Sequence, residues 1–343
     1  MAETRPRRQA LLRMAFGLLL SLACLVLLLR GVEWRVVEAT LADTQLLLLA
    51  TAVGVELLTF WAIASRWQRL FLPHAAPTKG RLFTILNIAQ LVNALLPAKL
   101  GPLVRAYLAG HGDADRVAFA LTTIVGEKVL EGASLLMIAL GLLPFTPLAD
   151  WLRSTVWISA ILLLLLLALL FVAASHREIV TKWTESWLSR WPRLLRLARS
   201  MLSALDVWQN GYAVLVLLGW SLFIWAVTVL LNQLLLWSLD IQVPPVAAVL
   251  LLVVLQIGVR VPSSPGSIGV FHYLSVVALS LFGVDKSVAL SYGVLLHLVT
   301  YLPASVLGIV FLTRAGYSIG WLRQVVGSVN RSAEPQAPSE NQP

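Results

Sequence analysis

The segment that decides the fold reads Asn93-Ala-Leu-Leu-Pro97-Ala-Lys-Leu-Gly101-Pro-Leu-Val-Arg105. It follows an apolar run, 82–96, that is short for a bilayer crossing of about 20 residues. Pro97 cannot donate to a helix ladder, Gly101 tolerates turn geometry, and the proline after Gly101 suits the first position of a new helix. The chain is therefore expected to enter a membrane as a helix, break at Pro97–Gly101 (the first break), and return to the same side.

A second segment of the same kind reads Arg260-Val-Pro262-Ser-Ser-Pro-Gly266-Ser-Ile-Gly269. It follows the short apolar run 246–259, and it shares the spacing Pro-x-x-x-Gly with the first break. We call Pro262–Gly269 the second break. Length favours a re-entrant helix pair at each break, and a short two-span hairpin remains the alternative.

The composition indicates a membrane protein. Of 343 residues, 59% are hydrophobic and 13% charged, whereas a soluble domain has about a quarter charged. These values exclude a soluble globular enzyme, a disordered protein and a coiled coil. With Cys24 as the single cysteine, an internal disulfide is excluded. The apolar segments of full spanning length are 11–29, 45–65, 117–143, 154–174, 212–238 and 287–312. The prediction is an all-α polytopic membrane protein with about six full spans and two broken helix pairs.

The distribution of Lys and Arg predicts the orientation. With the N-terminus in the cytoplasm, 18 of the 26 basic residues, Arg66 among them, fall on the cytoplasmic side and four fall outside. The net charge of +9 is therefore interpreted as topology, and no nucleic-acid partner is expected. The first break then enters from the cytoplasm and the second from outside, which is the inverted-topology repeat of many secondary transporters.

These observations predict three regions in a multi-pass protein of the cell (inner) membrane with both termini cytoplasmic. Residues 1–10 form a basic cytoplasmic N-terminus, and 11–316 form the transmembrane domain. Residues 317–343 form a cytoplasmic tail, which is expected to be disordered from about 332 because it has no apolar period.

A basic segment, 176–200, is not expected to span the membrane. Trp183, Trp187 and Trp191 recur at four-residue intervals among Lys and Arg, the pattern of a helix lying on anionic inner-leaflet lipids. The alternative is an ordinary basic loop with anchoring tryptophans.

Polar residues at membrane depth are candidates for function, because a charge at the bilayer centre costs about 2.5–3.5 kcal/mol on insertion scales. Arg105 and Arg260 lie beside the two breaks, and an arginine can bind a phosphate bidentately. The alternative is that their side chains snorkel to the membrane interface. The candidate headgroup-binding residues are Arg105, Arg260, Lys99, Asn93, Gly101, Ser263, Ser264 and Gly266. The residues expected to break the helices are Pro97, Gly101, Pro262, Pro265 and Gly269.

A second set of polar residues is predicted to gate or couple transport. Glu127, Lys128 and Glu131 lie within one turn of a long span, where they can pair with one another. Glu56 and His272 complete the set. The alternatives are an internal salt bridge for the trio and a packing role for His272. The sequence has neither metal-ligand spacing nor a phosphate-binding Walker loop, so no metal and no cofactor is expected.

At these positions the sequence resembles a family of flippase-like membrane proteins related to the translocating half of lysylphosphatidylglycerol synthase. Besides the first break with Arg105, the resembling pieces are Glu127-Lys128-x-x-Glu131, similar to that family's Glu-Arg-x-x-Asp; Pro262-Ser-Ser-Pro-Gly-Ser-Ile-Gly269; and a final helix with Tyr301-x-Pro303 and Gly308. The resemblance implies movement of a lipid, either an anionic phospholipid or a polyprenyl-phosphate-linked lipid, between membrane leaflets.

The chain departs from that family at two positions, Pro102 and His272, where the family usually carries Glu. It also lacks the soluble aminoacyl-transferase half, so no aminoacylated lipid is expected as a product. The prediction is a flippase-like transporter, not an enzyme, whose partners are membrane lipids and envelope-biosynthesis enzymes. The alternatives are an integral-membrane lipid-phosphate transferase, for which Asp113 and Asp115 are the one close acidic pair, and a non-transporting subunit of an envelope lipid or glycan pathway.

Overall fold

The protein is all-helical. The computed structural model describes residues 4–72, 74–95, 100–143, 176–189, 191–260 and 263–314, together with 154, 157, 158, 161, 162 and 165. Over these residues it contains twelve α-helices and no strand, in agreement with the predicted all-α class. The helices are α1 (Thr4–Leu29), α2 (Trp34–Ala42), α3 (Leu46–Leu70), α4 (Lys79–Leu95), α5 (Gly101–Gly110), α6 (Ala114–Leu142), α7 (Arg177–Leu188), α8 (Pro192–Ser203), α9 (Gly211–Ser238), α10 (Val246–Gly258), α11 (Val270–Ser280) and α12 (Lys286–Arg314).

Three described helices, α3, α9 and α12, are long and apolar enough to cross a membrane. The end of α1 and α2 would form a fourth span if the 90° bend between them is counted within one crossing. Helix α6 has 29 residues, roughly 44 Å at 1.5 Å per residue, but it carries three charged side chains near its middle. The predicted span 154–174 lies largely outside the described residues. The count of six spans therefore stays a prediction.

The two broken segments occupy equivalent places in two similar units. One unit runs α3, α4, first break, α5, α6, and the other runs α9, α10, second break, α11, α12, with each helix packed on the next. The units interlock, because α3 packs along α9 and α4 packs along α12. Helices α4 and α10 have 17 and 13 residues, so both are shorter than a full crossing, as predicted. The inverted orientation of the second unit stays a prediction.

The hydrophobic core has two main parts. One part packs α9 to α12 around Leu235, Leu251 and Tyr292, and the other packs α3 to α6 around Trp67 and Leu82. Many leucines on the outer faces are exposed, as expected for surfaces that contact lipid tails.

The basic segment 176–200 forms two helices, so the prediction of one continuous helix is wrong. Pro192 begins α8, because its fixed φ suits a first helical position, and Trp191 before it has φ −129° and ψ 76°. Trp183 and Trp187 therefore remain neighbours on α7, with ring centroids 5.2 Å apart, whereas Trp191 leaves their stripe. Helix α8 packs on α6, where the Ser200 hydroxyl donates to the Asp115 carbonyl.

The predicted terminal regions are described only in part. Helix α1 begins at Thr4, so most of the N-terminal segment 1–10 is helical. The tail 317–343 lies outside the described residues.

Candidate functional site

A cavity of about 380 Å³ lies between the two units and is lined from both breaks. It brings together most of the polar residues that the sequence singled out. The predicted site residues that line it are Glu56, Asn93, Gly101, Arg105, Glu127, Lys128, Glu131, Ser263, Ser264, Pro265 and Gly266. Pro97, Lys99 and Pro262 lie outside the described residues. The cavity is therefore the candidate site.

A cluster of charged side chains forms one wall, and its centre is a residue that the sequence analysis placed elsewhere. Arg66, counted above among the cytoplasmic charges, is fully buried. Its Nη2 lies 3.0 Å from Glu127 Oε1 and 2.8 Å from Glu131 Oε1, and its Nη1 donates to Ser221 Oγ over 3.0 Å. Lys128 Nζ lies 2.7 Å from Glu131 Oε2. The predicted pairing of Lys128 with Glu131 is present, but it is part of a larger network.

Arg105 joins this cluster from α5 and also faces the cavity. Its Nη2 donates to Glu127 Oε2 over 2.5 Å, and its guanidinium lies 4.1 Å from the centre of the Trp67 ring. Stacking and ion pairing both fix the plane of the guanidinium. Glu127 also accepts from Nη1 of Arg105 over 3.5 Å, so it engages one N–H of each terminal nitrogen. The Nε is buried and has no hydrogen-bond partner within the described residues, so the donors that Arg105 can offer to an anion in the cavity are the remaining N–H groups of Nη1 and Nη2.

Asn93 organises the first break. Its Oδ1 accepts a hydrogen bond of 2.8 Å from the Gly101 N–H, so it caps the start of α5 across the break. A Cβ at position 101 would lie 2.5 Å from the Asn93 side chain, which explains why glycine is needed there. Because its amide oxygen is already used, Asn93 positions the break more than it offers an acceptor to a ligand.

The second break is organised by α1, which the sequence analysis did not connect with it. Ser21 Oγ accepts from the Ser264 N–H over 2.8 Å, so this backbone group is not free for a ligand. Gly269 has φ +91°, and a Cβ there would lie 2.5 Å from the Ser21 carbonyl oxygen. Pro265–Ser267 forms a separate 3₁₀ turn, and the returning helix α11 starts later, at Val270. No local signal in the sequence links Ser21 to a segment more than 240 positions away.

Arg260 does not belong to the cavity, and its prediction as a headgroup residue is not supported by the geometry. It lies in the turn after α10, where its side chain is exposed and its Nε donates to the Gln256 carbonyl over 3.2 Å. Among the described residues that line the cavity, Arg260 is absent. Spacing along the chain placed Arg260 beside the break, but the turn directs its side chain outward.

His272 lies behind the cavity wall in a stack of rings. Its ring centroid is 5.0 Å from that of His297, which stacks on Tyr301 at 4.4 Å. His297 Nε2 lies 2.9 Å from the Gly266 carbonyl, which connects this stack to the second break. Tyr301 lines the cavity, whereas His272 is outside its lining residues. His272 is thus placed to support the second break and is not in contact with the cavity.

Of the acidic pair Asp113 and Asp115, which the transferase alternative would need, Asp113 has a structural role. Asp113 caps α6, with its Oδ1 accepting from the Arg116 N–H over 2.9 Å. In the described part of the chain, no group of three or more His, Cys, Asp or Glu residues could hold a metal ion.

The apolar helices and the polar cavity between them define a multi-pass membrane protein with an internal cavity. The chain belongs to the family described as the lysylphosphatidylglycerol synthase TM region, whose model matches residues 14–308. It is similar to a UPF0104 membrane protein of Methanothermobacter thermautotrophicus, with 24% identity over 262 residues that cover 70% of this chain and 77% of that protein. The family resemblance inferred from the breaks is therefore confirmed.

Proposed function

We propose that this protein is a lipid transporter of the flippase type, which binds the phosphate of a lipid headgroup in the cavity and carries it between leaflets. The observation that carries the proposal is the placement of Arg105 in a cavity lined from both broken helix pairs, with one N–H of each terminal nitrogen not taken by Glu127. Backbone breaks at membrane depth occur where they are buried in protein or line a wet cavity. Membership of the family supports the same function.

The size and charge of the cavity fit a headgroup. A volume of about 380 Å³ is near the lower end for small-molecule sites, so it suits a headgroup whose acyl chains stay in the surrounding lipid. Arg105 is the planar cation that can donate charge-assisted hydrogen bonds to a phosphate. Lys128, whose side chain is 51% exposed, adds a second cation on the same wall. The proposed substrates are anionic phospholipids and polyprenyl-phosphate-linked lipids.

The proposal also covers the membrane in which the protein lies, its orientation and its partners. We place the protein in the cell membrane with both termini in the cytoplasm, and we place α7 and α8 against anionic lipids of the inner leaflet. Trp183 and Trp187 are exposed on α7, and α8 has its basic residues on one side of an amphipathic helix. Envelope-biosynthesis enzymes are the proposed partners, and no catalytic activity is proposed.

Purified protein in liposomes tests this function. Phosphatidylglycerol with a fluorescent acyl chain is placed in both leaflets, and an impermeant quencher then reports how much lipid moves outward. Arg105→Ala should weaken headgroup binding roughly 10- to 100-fold, as for the loss of one charge-assisted hydrogen bond of about 1.5–3 kcal/mol. Arg105→Lys should restore only part of the transport, because a point charge lacks the planar fork.

Arg260→Ala is the matched control, because it removes an arginine beside a break but outside the cavity lining. It should transport at the wild-type rate. Equal transport by Arg105→Ala and Arg260→Ala, at equal reconstitution, would contradict the headgroup site. No lipid movement by the wild type would favour the non-transporting subunit.

A further inference from the structure

Glu56 differs from the other acidic residues of the cavity because its carboxylate has no partner among the residues that the structure describes. It lies on α3, is 6% exposed and lines the cavity. Over the described ranges, neither a hydrogen bond nor an ion pair engages it, whereas Glu127 and Glu131 are each held by an arginine or a lysine. A buried carboxylate without a partner loses much of the free energy of hydration of its charge. The neutral form of Glu56 is therefore accessible.

The surroundings of Glu56 set the charge of the site. Helices α4 and α9, which pack against α3, line the cavity with neutral polar side chains such as Gln90, Thr228 and Asn232. His272 and His297 lie behind the second break, and Lys99 is outside the described residues. The charged or titratable residues that line the cavity with Glu56 from α5, α6 and α12 are Arg105, Glu127, Lys128, Glu131 and Tyr301.

Among the charged residues of this region that the structure describes, the charges balance only when Glu56 is ionised. Arg66, Arg105 and Lys128 supply three positive charges, and Glu127 and Glu131 supply two negative ones. With Glu56 ionised the sum is zero, and with Glu56 protonated it is +1. An excess of one positive charge matches the single negative charge of a phosphodiester, and a low dielectric favours overall neutrality.

We propose that Glu56 is a proton-binding site that couples lipid binding to proton uptake, an inference that rests on the proposed function. Above the pH at which Glu56 titrates in the empty cavity, its carboxylate is ionised there, and it becomes protonated when the cavity holds a phosphodiester headgroup. Because binding linkage is reciprocal, the proton tightens headgroup binding by the same factor by which the headgroup tightens proton binding. A transmembrane proton gradient could then drive the lipid in the direction of proton flow.

Calorimetry on the purified full-length protein tests the coupling. The probe is dihexanoyl phosphatidylglycerol, a water-soluble phosphodiester lipid, titrated in two buffers of different ionisation enthalpy so that protons taken up are counted. Above the pH at which Glu56 titrates in the free wild type, we expect uptake of about one proton per lipid and an affinity that falls up to about tenfold per pH unit; below that pH, proton uptake should vanish. Glu56→Gln mimics the protonated form, so it should bind the lipid with no proton uptake and with little pH dependence.

Two further variants make the result specific. Glu56→Asp keeps a titratable carboxyl group and should retain proton uptake, and Glu38→Gln removes the same charge from an exposed position on α2 and should behave as the wild type. Wild-type binding without proton uptake overturns the coupling but leaves the headgroup site standing. Proton uptake that persists in Glu56→Gln assigns the proton to another group and overturns the role of Glu56. Absence of any binding by the wild type overturns the headgroup site and the coupling together.

Discussion

At the scale of single residues, Arg66 determines whether the charged wall of the cavity is stable. Its guanidinium compensates Glu127 and Glu131 and is itself fully buried. Removing one partner of a buried ion pair leaves an uncompensated charge and costs about 3–5 kcal/mol. Arg66→Ala should therefore lower the free energy of unfolding in mixed micelles by about that amount.

Arg69 supplies the control for this change. It lies one turn further along α3, is exposed, and its guanidinium is 5.8 Å from the Trp220 ring centre, so Arg69→Ala should cost only about 1 kcal/mol or less. Adding Glu131→Gln to Arg66→Ala should recover part of the loss, because it removes the charge of a carboxylate that has lost its contact with Arg66. Unfolding of Arg66→Ala at the wild-type free energy would show that the network does not stabilise the fold.

The same residue shows where sequence reasoning fails at this scale. Glu127, Lys128 and Glu131 were recognised because they are charged and close together along one helix. Arg66 was assigned to a cytoplasmic loop because it follows an apolar run, while its partners are 61 and 65 positions away. The error for Arg260 is the converse, since closeness to a break along the chain did not place its side chain in the cavity.

At the scale of elements, the contact between α1 and the second break is tight enough to exclude any side chain. Gly269 combines φ +91° with a Cβ position 2.5 Å from the Ser21 carbonyl oxygen. Gly269→Ala should therefore cost the backbone strain of a sparsely populated conformation, about 1–3 kcal/mol, and should also displace α1. The free energy of unfolding in mixed micelles measures the sum.

Gly31→Ala separates the two contributions to that cost. Gly31 also has a positive φ, +73°, but a Cβ there meets nothing within 4 Å. It should show the conformational cost, about 1–2 kcal/mol, without the steric one. If Gly269→Ala and Gly31→Ala lose the same stability, then α1 does not pack on the second break as closely as described.

At the scale of the whole molecule, composition and run length predicted more than side-chain geometry could. The helical class and the short helices α4 and α10 follow from Pro, Gly and apolar runs that are local in the sequence. The division of 176–200 at Pro192 also has a local cause, which the regular spacing of the tryptophans obscured. The bend between α1 and α2 and the convergence of both breaks on one cavity depend on tertiary packing, which no local pattern reports. The sequence also did not predict that α1, besides being a helix of the membrane region, supports the second break through Ser21.

The inverted orientation of the two units is the prediction on which alternating access depends. If each unit enters from its own side, residues just before α4 and just before α10 lie on opposite faces of the membrane. Thr78 and Gln242 are exposed at these two positions. With Cys24 changed to Ser, Thr78→Cys should react with an impermeant thiol reagent only after the cells are opened, because the basic residues place it in the cytoplasm. Gln242→Cys should react in intact cells.

Labelling of both cysteines from the same side would mean that the two units have the same orientation. The two units could not then exchange conformations to open the cavity first to one leaflet and then to the other.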